Sequence, residues 1–243
     1  MYRAVRDLLE PLEDKNLRET ISDHPLCPAE KMEQFLVEAG KTRTGFQLVV
    51  WVKLRALTGL RPSESLHLQW QPDIDFDRNQ IFVRSKTGSP LKDGKFRVVE
   101  IHPALKALLL EWRKDWEATM APLETPHQWV FFHPIYPVQR ALSFNSSFDT
   151  ARKKAGIPHF RPYDLRHYFI SKAIMSGVDI FTISKWAGHA STSMIERIYG
   201  HLTPEFRAQQ MARINFDSFS IGLPKPDVQP VVEAVVKPAP QPA

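Results

Sequence analysis

The sequence contains a single cysteine, Cys27, in 243 residues. One thiol excludes an internal disulfide framework and fits a reducing compartment. Long apolar runs are also missing, because the longest near the middle of the chain covers only residues 48–52, far short of the ~20 residues that a membrane span needs. The N-terminal segment has acidic residues where a secretory signal carries its apolar region, so we expect neither a secreted nor a membrane protein.

The composition is that of an ordinary globular protein, with 43% hydrophobic and 24% charged residues. A chain of this length predicts one or two domains with a sizeable core. The net charge is +5, but residues 151–213 hold ten Lys or Arg against four Asp or Glu. This basic region indicates a polyanionic partner or, equally well, a solvated basic face.

Apolar periodicity, together with proline near the start and glycine after the end of several segments, predicts helices. They cover residues 28–39, 45–57, 103–116, 143–155, 162–176, 179–186, 193–199 and 204–214. Residues 80–85 and 95–101 are rich in β-branched and aromatic side chains and predict a hairpin, beside a short strand at 73–76. The predicted fold class is therefore mainly α with a small antiparallel β-hairpin sheet.

Arg61 is the first candidate site residue, because it follows a predicted buried helix and precedes Pro62 in the segment TGLRPSE. A guanidinium in rigid surroundings presents a planar fork of donors that suits a phosphate. Glu64 would orient Arg61, although a local helix-capping ion pair explains the same pattern. Lys86, in VRSKTGSP, lies at the predicted hairpin tip, where it is either solvated or placed to donate a proton in a cleft.

The segment RPYDLRHYFIS combines three further candidates. Tyr163, Arg166 and His167 lie at positions i, i+3 and i+4 of a predicted helix and therefore share one face. The helix is predicted to begin near Pro162, where free backbone N–H groups favour an anion. The pattern fits either a phosphate site or a basic surface stripe.

Further along, His189 follows Gly188 at a predicted helix end, and Tyr199 precedes Gly200 and His201. A tyrosine usually packs in a core, but cationic donors can make it a nucleophile although its ordinary pKa is ~10. The nine histidines show no His-x-x-x-His spacing, and there is no cysteine cluster. We therefore expect no metal site.

In chain order, TGLRPSE, SKTG, YDLRH, AGH and the Tyr-Gly-His triplet at 199–201 resemble the tyrosine recombinases, which include phage integrases and Xer-like site-specific recombinases. The resemblance covers roughly residues 28–216 and implies the DNA breaking-rejoining catalytic fold of that family. The apolar positions after Arg61, which are Leu66, Leu68 and Trp70, match as well.

The resemblance also implies a role for each candidate side chain. Arg61 and Arg166 would clamp the non-bridging oxygens of the scissile phosphate, and His189 would hydrogen-bond it. Tyr199 would attack phosphorus to give a 3′-phosphotyrosyl link, while Lys86 would protonate the departing 5′-oxygen. No metal, ATP or other cofactor is implied, because the covalent link retains the energy of the phosphodiester.

Two features depart from the family pattern. Tyr163 stands three residues before the second arginine, where the family usually has histidine, and a tyrosine cannot carry positive charge. Residues 1–25 are too few for the core-binding domain that precedes the catalytic domain in full-length recombinases, and we interpret them as the end of that domain or a linker. A catalytic domain is predicted over residues 26–221 and a Pro-rich disordered tail over 222–243.

The implied partner is double-stranded DNA with a specific recombination site, bound by a homo-tetramer, without membrane association. The implied location is the bacterial cytoplasm, in association with the nucleoid. A site-specific recombinase or integrase is the main hypothesis. A type IB topoisomerase-like relaxing enzyme and a truncated, non-catalytic DNA-binding remnant are the alternatives. The apolar side chains of residues 214–223 either fold back on the core or dock on a neighbouring protomer.

Overall fold

The computed structural model describes residues 29–86, 96–189 and 192. The packing of the chain separates residues 1–202 from residues 203–243, and every described residue belongs to the first unit. Several predictions lie outside the described residues: those for 1–25, for the helices at 193–199 and 204–214, for Tyr199, for 214–223 and for the tail at 222–243.

Helices dominate the described residues. In chain order they are α1 (Ala29–Gly40), α2 (Gly45–Thr58), α3 (Pro62–Leu66), α4 (Trp70–Asp73), α5 (Pro103–Met120), α6 (Asn145–Lys154), α7 (Asp164–Met175) and α8 (Ile180–Ala187). Three strands form an antiparallel sheet in the order β1 (Ile74–Asp75), β2 (Gln80–Val83) and β3 (Arg97–Glu100). The predicted fold class is confirmed. Of the helices described here, none is both long enough and apolar enough to cross a lipid bilayer.

Element boundaries differ from the sequence predictions where local contacts decide them. Helix α5 continues beyond residue 116 because Trp116 and Met120 are both buried in the core. Helix α7 begins at Asp164 rather than at residue 162, since the Asp164 carboxylate accepts a hydrogen bond from the Arg161 backbone N–H at 2.7 Å and closes a turn. The short helices α3 and α4 were not predicted, because four or five residues are too few to show a helical periodicity. The backbone within α4 also departs from helical angles, with φ −118° and ψ 132° at Gln71.

Helix α2 contacts α1, α3, α5 and α7. Its almost wholly apolar sequence is typical of a helix that is buried on all sides, and Leu48 and Trp51 are at most 1% exposed. The Trp51 indole N–H donates to the Ser65 hydroxyl at 2.9 Å and ties α2 to α3. The helix ends at Gly59, which has a left-handed φ of 67°, and the turn that follows carries Arg61. A rigid core helix therefore supports the first candidate residue.

A second set of contacts supports the other side of the site. Helix α1 packs on α6, and the Phe35 ring lies 4.8 Å from Phe148 and 5.4 Å from Phe160. Phe160 immediately precedes the chain that enters α7, so this aromatic cluster anchors that helix. Strand β3 and helix α7 both contact α8, which brings the sheet beside the turn that carries His189.

Candidate active site

Arg61 extends from the N-terminus of α3, where it is the N-cap residue with an extended backbone (φ −65°, ψ 154°). Glu64 accepts hydrogen bonds from the Arg61 backbone N–H at 2.8 Å and from its Nη1 at 3.0 Å. The Arg61 Nη2 donates to the backbone carbonyl of Gly188 at 3.0 Å. The predicted Arg61–Glu64 pair is therefore present, and it connects α3 to the turn after α8.

Arg97, which the sequence analysis missed, binds the other side of the same carboxylate. Its Nη1 and Nη2 donate to Glu64 at 3.0 and 2.6 Å, and its Nε donates to the Trp186 carbonyl at 2.8 Å. A Cβ at Gly188 would lie 3.0 Å from the Arg97 Nη1. Arg97 thus joins β3, α3 and the end of α8. Its side chain is on the strand face that also presents the buried Val99, and a charge at a core-facing position was the available signal.

The ionisation state of Glu64 decides how much positive charge the site keeps. Burial alone raises the pKa of this carboxyl, but the hydrogen bond and charge of Arg97, with those of Arg61, hold it below its usual value. Glu64 is therefore ionised at neutral pH. Because Arg97 also pairs with Glu64 in a bidentate contact, the single negative charge of Glu64 is shared between two guanidinium groups and does not fully neutralise Arg61.

Arg166 lies inside the fold, with only 1% of its surface exposed. Its Nη1 donates to the Gly59 carbonyl at 2.7 Å, while its buried Nη2 has no hydrogen-bond partner within the described structure. Burial, followed by the positive charge of Arg61, lowers the pKa of Arg166 to about 10. The group is still protonated at neutral pH and has one donor nitrogen to offer.

His189 follows Gly188, which ends α8 in a left-handed conformation. The His189 backbone N–H donates to the Ser184 carbonyl at 3.0 Å, and its buried Nδ1 also lacks a hydrogen-bond partner in the described part of the chain. Burial, and then the charges of Arg166 and Arg61, lower the pKa of His189 to about 4. The imidazole is therefore neutral at pH 7.

Lys86 is held by the fold and is not a solvated hairpin tip. Its Nζ donates to the His67 carbonyl at 2.6 Å and to the Asp73 carboxylate, and it lies 5.6 Å from the centre of the Trp129 ring. Burial lowers the pKa of Lys86, against the opposing effect of Asp73. Lys86 lines the same small cavity as Glu64, the carboxylate that binds Arg61.

Tyr163 and His167 lie together at the start of α7, whereas Arg166 is buried. Tyr163 is the residue before the first turn of α7 and is 46% exposed. Its ring lies 5.3 Å from the His167 ring in an edge-to-face contact. The rings of Tyr163 and His167 therefore lie on one face, as positions i and i+4 predict, whereas Arg166 is only 1% exposed and is not part of an exposed basic stripe.

Arg61, Arg166 and His189 are thus brought to one place by α3, α7 and the end of α8. Arg61 is more than a hundred positions from Arg166 and His189 in the chain, yet both guanidinium groups lower the pKa of the imidazole. Guanidinium groups with a neutral imidazole can bind an oxyanion and stabilise charge that develops on it. Tyr199 lies outside the described residues.

Comparisons with known proteins point to one family. The phage integrase family model matches residues 27–205. The tyrosine recombinase XerC of Pediococcus pentosaceus is 30% identical over 214 residues, which cover 84% of this chain and 67% of that protein. The ICEBs1 integrase of Bacillus subtilis is 29% identical over 168 residues, which cover 64% of this chain and 45% of that protein. The chain thus spans about half to two thirds of the length of these relatives.

A solved structure has the same fold. The Tn1549 transposon integrase, in complex with transposon right end DNA, superimposes with a TM-score of 0.62 at 19% identity. The matched region covers 85% of this chain and 70% of that one. The predicted catalytic fold is therefore confirmed for the described residues.

Proposed function

Because the chain belongs to the phage integrase family, whose members cut and rejoin DNA, we propose that it is a site-specific DNA recombinase or integrase that grips the scissile phosphate in the described site. The observation that carries this proposal is the convergence of Arg61, Arg166 and His189. Buried polar nitrogens without partners are costly, and the oxygens of a bound phosphate would satisfy the Nη2 of Arg166 and the Nδ1 of His189.

In the proposed reaction, the phenolic oxygen of Tyr199 gives up its proton to water and attacks phosphorus, and the bond from phosphorus to the 5′-oxygen breaks. The strand is then held by a 3′-phosphotyrosyl bond, and the 5′-hydroxyl leaves. A 5′-hydroxyl of the partner strand attacks the same phosphorus, which releases the tyrosine and joins the strands. The number of phosphodiester bonds is unchanged at the end, and apart from the nucleophile Tyr199 the site residues supply only binding and proton transfer.

Arg61, Arg166 and His189 bind the non-bridging oxygens, where negative charge accumulates as the attack proceeds. Lys86 donates the proton to the leaving 5′-oxygen. Because Lys86 is bound to Asp73 in the described structure, the amine exchanges this partner for the leaving oxygen. The lowered pKa of Lys86 favours that transfer, since a weaker base gives up its proton more readily.

Tyr163 borders the site as a neutral group. Its hydroxyl can donate a hydrogen bond to the phosphate, but it brings no charge. We assign it a contact with DNA at the entrance of the site, which fits its 46% exposure.

The proposed partner is duplex DNA that carries a specific site, with four protomers assembled on two duplexes in the bacterial cytoplasm. The integrase with the same fold is seen in complex with transposon end DNA. The relatives are named recombinases and integrases, which favours strand exchange over the relaxation carried out by type IB topoisomerases. We place this activity in a catalytic domain over residues 26–221, with 1–25 as a linker or domain end and 222–243 as a tail.

The test is formation of a covalent protein–DNA adduct. Nicked duplexes from the DNA on both sides of the coding sequence are incubated with the protein, denatured and resolved by gel. Wild type and Tyr136→Phe, which alters a tyrosine that is 57% exposed, are expected to form the adduct, and Tyr199→Phe is not. An adduct with Tyr199→Phe would contradict the assignment of the nucleophile. DNA binding without any wild-type adduct would favour the non-catalytic remnant.

A further inference from the structure

Arg55 is a buried arginine that has no role in the reaction proposed above. It lies in α2, has no exposed surface, and its guanidinium lies 4.6 Å from the centre of the Trp51 ring. Its Nε donates to the Leu60 carbonyl at 3.2 Å. Its Nη1 and Nη2 are both buried and have no hydrogen-bond partner in the described structure. An arginine in this environment is an incompletely satisfied charge in the core.

Such a group is expensive for the fold. A buried charge that lacks its full set of partners costs free energy, and an apolar side chain of similar volume is often more stable at such a place. Neighbouring positions of α2, such as Leu54, carry apolar side chains at no such cost. The contact with Trp51 and the single bond to Leu60 offset only part of the penalty for Arg55.

The position of Arg55 connects it to the phosphate site. Arg55 and Arg166 hold consecutive carbonyl groups, Leu60 at 3.2 Å and Gly59 at 2.7 Å. The next residue is Arg61, whose side chain enters the site. The two buried guanidinium groups therefore fix the turn from which the third one extends.

Arg55 also contributes positive electrostatic potential to the site. Burial, and then the charge of Arg166, lower the pKa of Arg55 to about 9, so the group is cationic at neutral pH. The carboxylates of Glu64 and Asp164 attract this charge, but both are hydrogen-bonded to other residues. Glu64 binds Arg61 and Arg97, and Asp164 binds Arg161. The field of Arg55 is therefore not cancelled by an ion pair of its own.

We propose that Arg55 is a positioning residue of the phosphate site, which holds the Leu60 carbonyl and adds the positive potential of a buried, unneutralised charge behind Arg61 and Arg166. It contributes charge on the inner side of a site whose outer residue, Tyr163, is neutral. The inference rests on the proposed function only in naming the bound oxyanion as a DNA phosphate.

The test uses orthovanadate as an oxyanion probe that does not require a recombination site, with the full chain and no DNA. Arg55→Gln removes the charge but keeps an amide donor for the Leu60 carbonyl, and Arg55→Lys keeps the charge. Arg113→Gln is the matched control, because Arg113 also lies over a tryptophan, 5.8 Å from the Trp70 ring, but is partly exposed on α5. Titration calorimetry gives the dissociation constants, and thermal denaturation without the anion gives the midpoints.

We expect Arg55→Gln to weaken vanadate binding by about tenfold, the effect of removing one charge that acts through a poorly polarisable medium. Arg55→Lys should bind within about threefold of wild type, and Arg113→Gln should be unchanged. The thermal midpoint of Arg55→Gln should be no lower than that of wild type, because a neutral amide costs less to bury than a charge.

Wild-type affinity in Arg55→Gln would overturn the proposal, and so would a loss in Arg55→Lys as large as that in Arg55→Gln. If Arg55→Gln does not fold, the result for Arg55→Lys decides. An affinity tenfold weaker than that of wild type overturns the proposal. Near-wild-type affinity, with a thermal midpoint no lower than that of wild type, supports it. Failure of wild type to bind vanadate would also overturn it. Failure of the proposed function shows differently, as vanadate binding that depends on Arg55 together with no Tyr199-dependent adduct on DNA.

Discussion

The side chains of the site differ in the hydrogen-bonding groups that remain available to a ligand. Glu64 is bound on both sides by Arg61 and Arg97, whereas Arg166 and His189 each keep a buried nitrogen without a partner in the described structure. Donors that are already in place need no reorganisation when charge develops on a bound phosphate. The site is therefore organised before any ligand arrives.

The first prediction concerns the two arginines that would bind phosphate. Arg166→Lys and Arg61→Lys are each expected to lower the rate of adduct formation by about 10²–10³, because lysine keeps the charge but cannot donate from two fixed nitrogens. Single-turnover assays on a nicked duplex measure this rate. Arg113→Lys on α5 is the control and should cleave at the wild-type rate. Equal rates in all four proteins would contradict an oxyanion role for the two guanidinium groups.

The second prediction concerns pH. The pKa of His189 is about 4 in the folded protein, whereas a histidine in the unfolded chain titrates near ~6.5. Between these values the unfolded chain binds the additional proton, so this contribution to stability is complete above ~pH 7 and is lost as the pH falls toward 4.

Thermal denaturation at about pH 7.5 and about pH 5 checks this dependence, since both values lie on opposite sides of the unfolded pKa. The midpoint of wild type is expected to fall more than that of His189→Gln, which has no proton to bind. His133→Gln, a change outside the site, should fall as much as wild type. If His189→Gln and wild type lose the same number of degrees, the neutral state of His189 is wrong.

The sequence predicted only those site residues that stand in a motif. Arg61, Lys86, Arg166 and His189 were found because each stands in a recognisable motif. Arg97 and Arg55 stand in none, and their signal was a charge at a core-facing position of a strand or a buried helix. That signal shows that a charge is buried, but the partner of the charge is decided by contacts with distant parts of the chain.

Among the elements, the turn between α2 and α3 does most to position the site. Gly59 has a φ of 67° and its carbonyl accepts from Arg166. A Cβ at Gly59 would lie 2.5 Å from the Phe169 ring of α7. The turn therefore needs glycine for both its backbone conformation and its close packing on α7.

The third prediction tests this close approach. Gly59→Ala is expected to destabilise the protein by about 2–3 kcal/mol, the sum of the left-handed backbone penalty and the overlap with Phe169. Gly156→Ala is the matched control, since Gly156 has a φ of 69° but its Cβ would meet only the Lys31 Nζ at 3.7 Å. It should cost about 1 kcal/mol. Urea denaturation gives both values, and equal costs would show that the contact with α7 does not matter.

The fourth prediction concerns the link between β3 and the site. Arg97→Gln leaves the buried carboxylate of Glu64 with one partner instead of two, so we expect a loss of about 3 kcal/mol in stability. Adduct formation should also slow, because Glu64 then neutralises Arg61. Glu64→Gln combined with Arg97→Gln should recover part of the stability, since the buried carboxylate is then gone and the remaining charge, that of Arg61, keeps 21% of its side chain exposed.

The comparison for Arg97 is the exposed pair of Arg113 and Glu117 on α5, with 38% and 55% of the side chains exposed. Arg113→Gln should change stability by less than about 0.5 kcal/mol. Urea denaturation of the variants measures these differences. If Arg97→Gln is as stable and as active as Arg113→Gln, Arg97 has no role in the site.

For the whole molecule, the uneven distribution of charge predicts how DNA is bound. The net charge is +5, and the excess lies in residues 151–213, which include α7 and α8. Binding to duplex DNA should weaken with salt, with a log–log slope of roughly −0.9 for each phosphate contacted. Fluorescence anisotropy with a labelled duplex from ~50 to ~200 mM salt measures this slope. A slope near zero would contradict binding through the phosphate backbone.

The sequence by itself determined the mainly α fold class, the positions of the long helices and the order of the motifs, because apolar periodicity, proline and glycine act over neighbouring residues. The tertiary structure alone decided that Arg166 is buried, that Lys86 is bound to Asp73, and that Arg97 shares Glu64 with Arg61. These contacts join residues from 13 to more than a hundred positions apart. Local patterns do not encode such pairings, since they depend on how the helices pack around α2.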